Sequence, residues 1–317
     1  MRKGKWKARI QTAFTALGIF ILVTIVSSIL TAVYYSWGNP DRVEVYRGII
    51  DHTLTITKPH GHLGGTSTNT SPYFGLKATK NMRKRVGNAR PNVGELEVNF
   101  RFSLMSQPKI SGDEERHSQA FFVHPDSTES ATSDWDRLNK LPEGTVALVY
   151  ISFDDLLETK DVEQLFTDKE MDLLWLAVDT GLERDIDFGF ISDPIGFPSS
   201  PIWHDDDMIV HSQEEKPGLF GSKIISKTSS SPLYRSGNQK VLHDQFMKTL
   251  LFLQKHERKA DQFVFDKLHL EERINYLEQN GIVHYGAVVT GPTKEMLKLR
   301  EEPMIHQLKI DEVELWN

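Results

Sequence analysis

Cysteine is absent from all 317 residues, which excludes disulfides, thiolate metal sites and a thiol nucleophile at once. Acidic residues are missing from the first twelve positions, where Arg2, Lys3, Lys5, Lys7 and Arg9 stand, and charge of either sign is missing from residues 10 to 40. An A-x-A ending is missing as well. The outer edge of the apolar run carries Tyr34, Tyr35 and Trp37 instead, which separates it from the short core, about 7–15 residues, of a cleaved signal peptide. G-x-S-x-G and H-E-x-x-H do not occur, and His256-Glu257 lacks a second histidine, so neither a nucleophile elbow nor a zincin site is written in the chain.

What the chain has in place of these is a membrane anchor. Ala13 to Trp37 would measure about 37 Å as a helix at about 1.5 Å per residue, enough to cross a hydrocarbon core of about 30 Å. Lys and Arg beside a first span hold that flank in the cytoplasm. Residues 1–12 therefore read as a short basic cytoplasmic head, 13–37 as a single transmembrane helix, and the remainder as extracytoplasmic. Trp6 on one side and Tyr34, Tyr35 and Trp37 on the other suit the two interfaces, and the basic head suits anionic lipid. Gly18, Ser27 and Ser28 would let a second transmembrane helix approach closely.

The whole chain is 39 % hydrophobic and 26 % charged, and the part after the anchor is long enough for one large or two ordinary domains. Once the five basic residues of the head are set aside, 32 basic residues face 44 acidic ones. An acidic surface of this kind argues against direct nucleic-acid binding, which depends on displacing counterions with Lys and Arg.

From 38 to 105 the pattern predicts a β-rich, membrane-proximal unit, with strands at 43–46 (VEVY), 52–57 (HTLTIT) and 95–102 (ELEVNFRF). Residues 106–145 read as a polar linker interrupted by Phe121-Phe122. Strands and helices alternate after that. Strands are expected at 146–153, 173–179, 282–290 and 305–316, with helices at 161–171, 240–258, 268–280 and 293–299 and an elaborate loop from 181 to 238. The fold class is α/β or α+β, with 146–317 as a mixed C-terminal domain.

WKARIQTAFTALGIFILV at 6–23, VALVYISFDDLLETKDVEQLF at 146–166, LLWLAVDTG at 173–181, IGFP at 195–198 and HYGAVVTGPTKEMLKL at 284–299, with VELWN at the end, occur together and in order. This combination resembles the sigma factor regulator family, single-pass membrane proteins related to anti-sigma factors with a separate extracytoplasmic C-terminal domain. The resemblance implies a non-enzymatic regulator that needs no cofactor. A head of twelve residues is too short to fold around a sigma factor. The implied route is therefore a membrane protein partner and, through it, a sigma factor.

Five polar patterns remain. His204-Asp205-Asp206-Asp207, with His211 after it, offers oxygen and nitrogen ligands for a metal, without the spacing or glycine of an EF-hand, and reads equally as a solvated acidic loop. A metal- or ligand-binding envelope protein centred there is the alternative function. His60 and His62 would share one side of an extended segment, but supply too few ligands alone. Lys77, Lys80, Arg83, Lys84 and Arg85 form a dense basic run that reads as a charged strand edge or as a site for phosphate-bearing polymers or headgroups. Gly291-Pro292-Thr293-Lys294 lacks the Walker spacing and is expected to be a turn. Ser106-Gln107-Pro108-Lys109 holds a proline where a serine–lysine enzyme needs helix. Trp175, Phe121-Phe122 and Trp316 are expected in packing.

Overall fold

In the computed structural model the charge-free stretch up to Tyr35 lies within one continuous helix, α1 (Arg2–Tyr35), and Ser36 to Pro40 follow it outside the helix. Residues 2–60, 63–112, 121–127, 132–183, 191, 193–218 and 221–315 are described. His62 and Trp316 lie outside them. From Lys5 to Tyr35 the helix is long and apolar enough to cross a membrane. Much of its middle is bare of protein, with Ile19, Phe20, Leu22, Ile25 and Ile29 all at least half exposed.

The helix end is built into a folded unit. Tyr35 is 1 % exposed and packs with Tyr46, Ile49, Ile50 and Leu54 against Leu76, Met82, Leu96, Val98 and Phe100. The first group lies on α2 (Arg42–Thr57), where the sequence pattern predicts strands at 43–46 and 52–57. Helix wins there for two reasons. Asp41 caps it, accepting the Glu44 N–H at 2.8 Å, and positions 46, 49, 50, 53, 54 and 57 all turn inward at helical spacing. The β-branched threonines are accommodated because Thr53, Thr55 and Thr57 donate to carbonyls four residues back.

Facing α2 is an antiparallel sheet of β1 (Thr66–Ser71), β2 (Gly75–Arg83), β3 (Asn92–Arg101), β4 (Leu104–Met105) and β5 (Lys109–Ser111). The segment read as linker therefore contributes β5, paired with β3, and a short helix, α3 (Trp135–Asn139).

The C-terminal part is a second antiparallel sheet with strand order β12-β6-β11-β7-β8, formed by β6 (Thr145–Glu158), β7 (Asp172–Val178), β8 (Gly196–Pro198), β11 (Val283–Pro292) and β12 (Ile305–Leu315). Along β6 the side chains alternate between two cores. Ala147, Val149, Ile151 and Phe153 face α4 (Thr159–Thr167), α5 (Gln239–Gln254) and α6 (Leu270–Asn280). Val146, Leu148 and Tyr150 face the other way, toward Phe122, Trp175 and Tyr285. Phe122 is thus a core residue, and its neighbour Val123 donates to Ser152 Oγ at 3.0 Å. The expected loop at 181–238 contains β8 and a hairpin, β9 (Ile209–Gly218) with β10 (Gly221–Ser230), that pairs with no other strand among the described residues.

The sequence expectation of a turn at Gly291-Pro292 is also revised. Both residues end β11, and Pro292 caps the short α7 (Thr293–Leu297). Glycine is required because a Cβ at 291 would stand 2.8 Å from the Glu170 carbonyl oxygen. Thr290 donates to the Ala147 carbonyl at 2.8 Å and accepts the Gly87 N–H at 2.7 Å, so this signature docks the 86–89 turn of the first unit onto the second sheet.

The basic run is divided between this junction and the first unit. Lys84 Nζ lies 3.1 and 2.9 Å from the two carboxylate oxygens of Asp311 on β12, with both side chains buried. Lys80 is buried on Asp51 at 2.6 Å and the Gly64 carbonyl at 2.8 Å. Arg85 pairs with Asp172, and Lys77 with Glu97. Four of the five cations are therefore paired with carboxylates, two of them, Lys80 and Lys84, buried, rather than forming a free phosphate-binding strip.

Candidate functional site

The two units meet at a cleft of about 750 Å³ between α2 and α5, immediately after the chain leaves α1 at Asn39-Pro40. It contains His204, Asp205 and Asp206 beside Glu44, His52 and Lys248. Asp205–Asp207 form a single 3-10 turn with His204 as its cap, and the His204 N–H donates to Asp207 Oδ2 at 2.9 Å.

The hydrogen bonds fix the His204 tautomer. Thr249 spends its proton on the Gln245 carbonyl at 2.8 Å, so the 2.9 Å contact between His204 Nε2 and Thr249 Oγ1 has the imidazole as donor. Burial and the nearby Lys248 hold its pKa below the usual histidine value. His52 stacks on it with ring centroids 4.1 Å apart, and burial, with His204 beside it, lowers His52 to about 3. Both rings are neutral at physiological pH.

Lys248 on α5 reaches Asp206 at 2.8 Å and Asp207 at 2.7 Å. Burial opposes its charge, yet these carboxylates raise its pKa above the ordinary lysine value. Glu44 behaves in the opposite way. Burial and the hydrogen-bonded Asp205 raise it to about 7, so Glu44 keeps its proton to near neutrality.

Two members of the acidic triplet therefore hold the Lys248 ammonium, Asp207 also closes the cap, and Asp205 hydrogen-bonds Glu44. His211 is on the β9–β10 hairpin, hydrogen-bonded to Ser230 Oγ at 2.8 Å. Among the described residues no group of three or more His, Asp or Glu is arranged to hold a metal ion. His60 is buried beyond the end of α2. What the cleft presents is an aromatic and imidazole floor, a carboxyl that titrates near neutrality and a paired lysine, which together suit recognition of a polar partner group. Glu44, His52 and Lys248 escape sequence reasoning because they are far apart in the chain; only Glu44, three residues after Asp41, carries a local signal, that of a helix start.

The layout is an apolar helix, long enough to cross a membrane, fused to a folded unit with a second sheet domain docked on it. The chain belongs to the sigma factor regulator family: residues 138–312 match its C-terminal region and residues 1–90 its N-terminal region. Among curated proteins it is similar to the probable anti-sigma-M factor YhdL of Bacillus subtilis (strain 168), with 26 % identity over 321 aligned positions, 99 % of this chain and 82 % of that protein. No solved structure matches the chain.

Proposed function

We propose that this sigma factor regulator is a non-enzymatic, single-pass membrane protein whose basic end is cytoplasmic and whose two folded units lie outside, and that it acts on a sigma factor through a membrane partner. The observation that carries this is the burial of Tyr35, the last residue of α1, in the core of the first unit. A partner or ligand bound to the folded part then acts on a body continuous with the span. The cleft is well placed for such a partner, because it borders Asn39 and Pro40 just beyond the helix. The basic head supports the orientation, and the anti-sigma-M name of the relative supports a sigma factor as the downstream target.

The natural absence of cysteine makes the topology directly measurable. A Ser236→Cys chain, altered in an exposed turn, is expected to react with a membrane-impermeant maleimide in intact cells, and an Arg9→Cys chain only after permeabilisation. Labelling of Arg9→Cys in intact cells with Ser236→Cys protected would overturn the orientation.

A further inference from the structure

Two hairpin tips of the first sheet do not stop at the end of α1 but run back along it. Tyr73 OH lies 3.0 Å from Thr24 Oγ1, the Tyr73 N–H donates to Ser27 Oγ at 2.7 Å, and the Phe74 N–H donates to Thr31 Oγ1 at 2.9 Å. Thr24, Ser27 and Thr31 recur at i, i+3 and i+7, a hydroxyl stripe on one helix face. The second tip follows beside the first: Phe102 stacks on Phe74 with centroids 4.3 Å apart, and Ser103 hydrogen-bonds Tyr34.

The depth of this contact follows from the charge-free stretch. A hydrocarbon core of about 30 Å takes about 20 helical residues. Every such window inside residues 10–40 contains residues 21–29, and so contains Thr24 and Ser27. Whatever the exact register of the span, a side chain bonded to Thr24 stands below the membrane surface.

The tips are made for that setting. Tyr73, Phe102 and Leu104 are 42, 55 and 75 % exposed, apolar groups without enough protein around them. Tyr73, Phe74 and Phe102 also adopt φ of 63°, 60° and 48°, where glycine or asparagine is usual in a water-exposed turn. Their N–H groups, in contrast, are all satisfied internally: those of Tyr73 and Phe74 on the helix, and that of Phe102 on the Phe74 carbonyl at 3.2 Å, which also accepts from Tyr35 OH at 2.9 Å. Irregular backbone at membrane depth is tolerated only when protein satisfies it in this way. Arg101, exposed one residue before Phe102, can reach back to headgroups.

The geometry points to the 72–74 and 102–104 tips as a lipid-inserting edge, seated among acyl chains of the leaflet nearer the folded units and clamped to the span by its hydroxyl stripe. This rests on α1 spanning the bilayer, and the test separates the two. Nitroxide-labelled Ile19→Cys, Leu104→Cys, Tyr73→Cys and Asn92→Cys full-length chains are reconstituted in phosphatidylglycerol/phosphatidylethanolamine vesicles, and collision with oxygen is compared with collision with a water-soluble nickel chelate. Asn92 is the aqueous reference, because it stands at the far end of β3, about 30 Å from Arg101 at about 3.3 Å per residue.

The expected result is an oxygen-to-nickel ratio severalfold higher at Ile19, Tyr73 and Leu104 than at Asn92. A lipid-like ratio at Ile19 with water-like ratios at both Tyr73 and Leu104 would overturn the inserted edge and leave these aromatics to a protein partner. A water-like ratio at Ile19 would overturn the span together with the edge.

Discussion

Replacing Lys84 with methionine is expected to destabilise the folded chain by about 3–5 kcal/mol, the cost of leaving one member of a buried ion pair without the other. Asp311 would remain in the interior on β12 with its nearest cation gone. Asp311→Leu alone is expected to cost a similar amount, and the double variant Lys84→Met/Asp311→Leu much less than the two together, because neither charge is then buried alone. Denaturant melts of the four proteins in one detergent measure this coupling. The pair spans the two folded units, so a single variant within about 0.5 kcal/mol of the parent would mean that the junction is not held here. Lys77, exposed on Glu97, provides the contrast, since surface pairs are worth about 0–1 kcal/mol.

Gly196→Ala is expected to cost about 3 kcal/mol or more, near the upper end of what overpacking a core produces. A Cβ at that position would stand 2.0 Å from the Leu176 carbonyl oxygen and 2.5 Å from the Trp175 ring. Neither can yield easily. Leu176 O belongs to the β7 backbone, and the Trp175 ring is fully buried with its indole N–H on the Thr55 carbonyl at 3.0 Å. The displacement would therefore reach α2 in the first unit. Gly65→Ala is the control, with nothing within 4 Å of its Cβ, and is expected to melt within about 0.5 kcal/mol of the parent. Equal stability of Gly196→Ala and Gly65→Ala would contradict the packing of β8 on β7.

These two sites also show which parts of the molecule the sequence makes legible. Strands β6, β7 and β11 declare themselves as nearly continuous apolar runs, and the helices at 239–254 and 270–280 show an apolar stripe or a glycine stop. Residues 43–57 mislead because Val, Ile and Thr dominate them, so alternation outweighs the Asp41 cap and the inward spacing of Tyr46, Ile49, Ile50 and Leu54. The basic run misleads for a different reason. Its partners Asp51, Asp172 and Asp311 are distant in the chain, and a local reading finds only a concentration of charge. The same applies to the cleft: the acidic triplet is visible as a string, while Lys248, which neutralises two of its members, arrives from another helix.

Ser27 is the most instructive position on α1. Its small size suggests a face for a second transmembrane helix, yet its hydroxyl accepts the Tyr73 N–H, and Ser28 bonds the Thr24 carbonyl of its own helix at 2.8 Å. The spacing of Thr24, Ser27 and Thr31 contains the signal, but only a tertiary contact reveals what it receives. Gly18 has nothing within 4 Å and stays open to a partner span. Helix, hairpin tips, first sheet and second sheet thus form a continuous chain of contacts from α1 to the cleft.

The most direct test of a membrane-linked regulator of this kind is recovery of the full-length chain from its native membrane in a gentle detergent, with mass spectrometry of what accompanies it. A sigma factor, or a second membrane protein that itself carries one, present in stoichiometric amount is the predicted result. A chain recovered without either under conditions that keep it folded would contradict regulation through a bound partner.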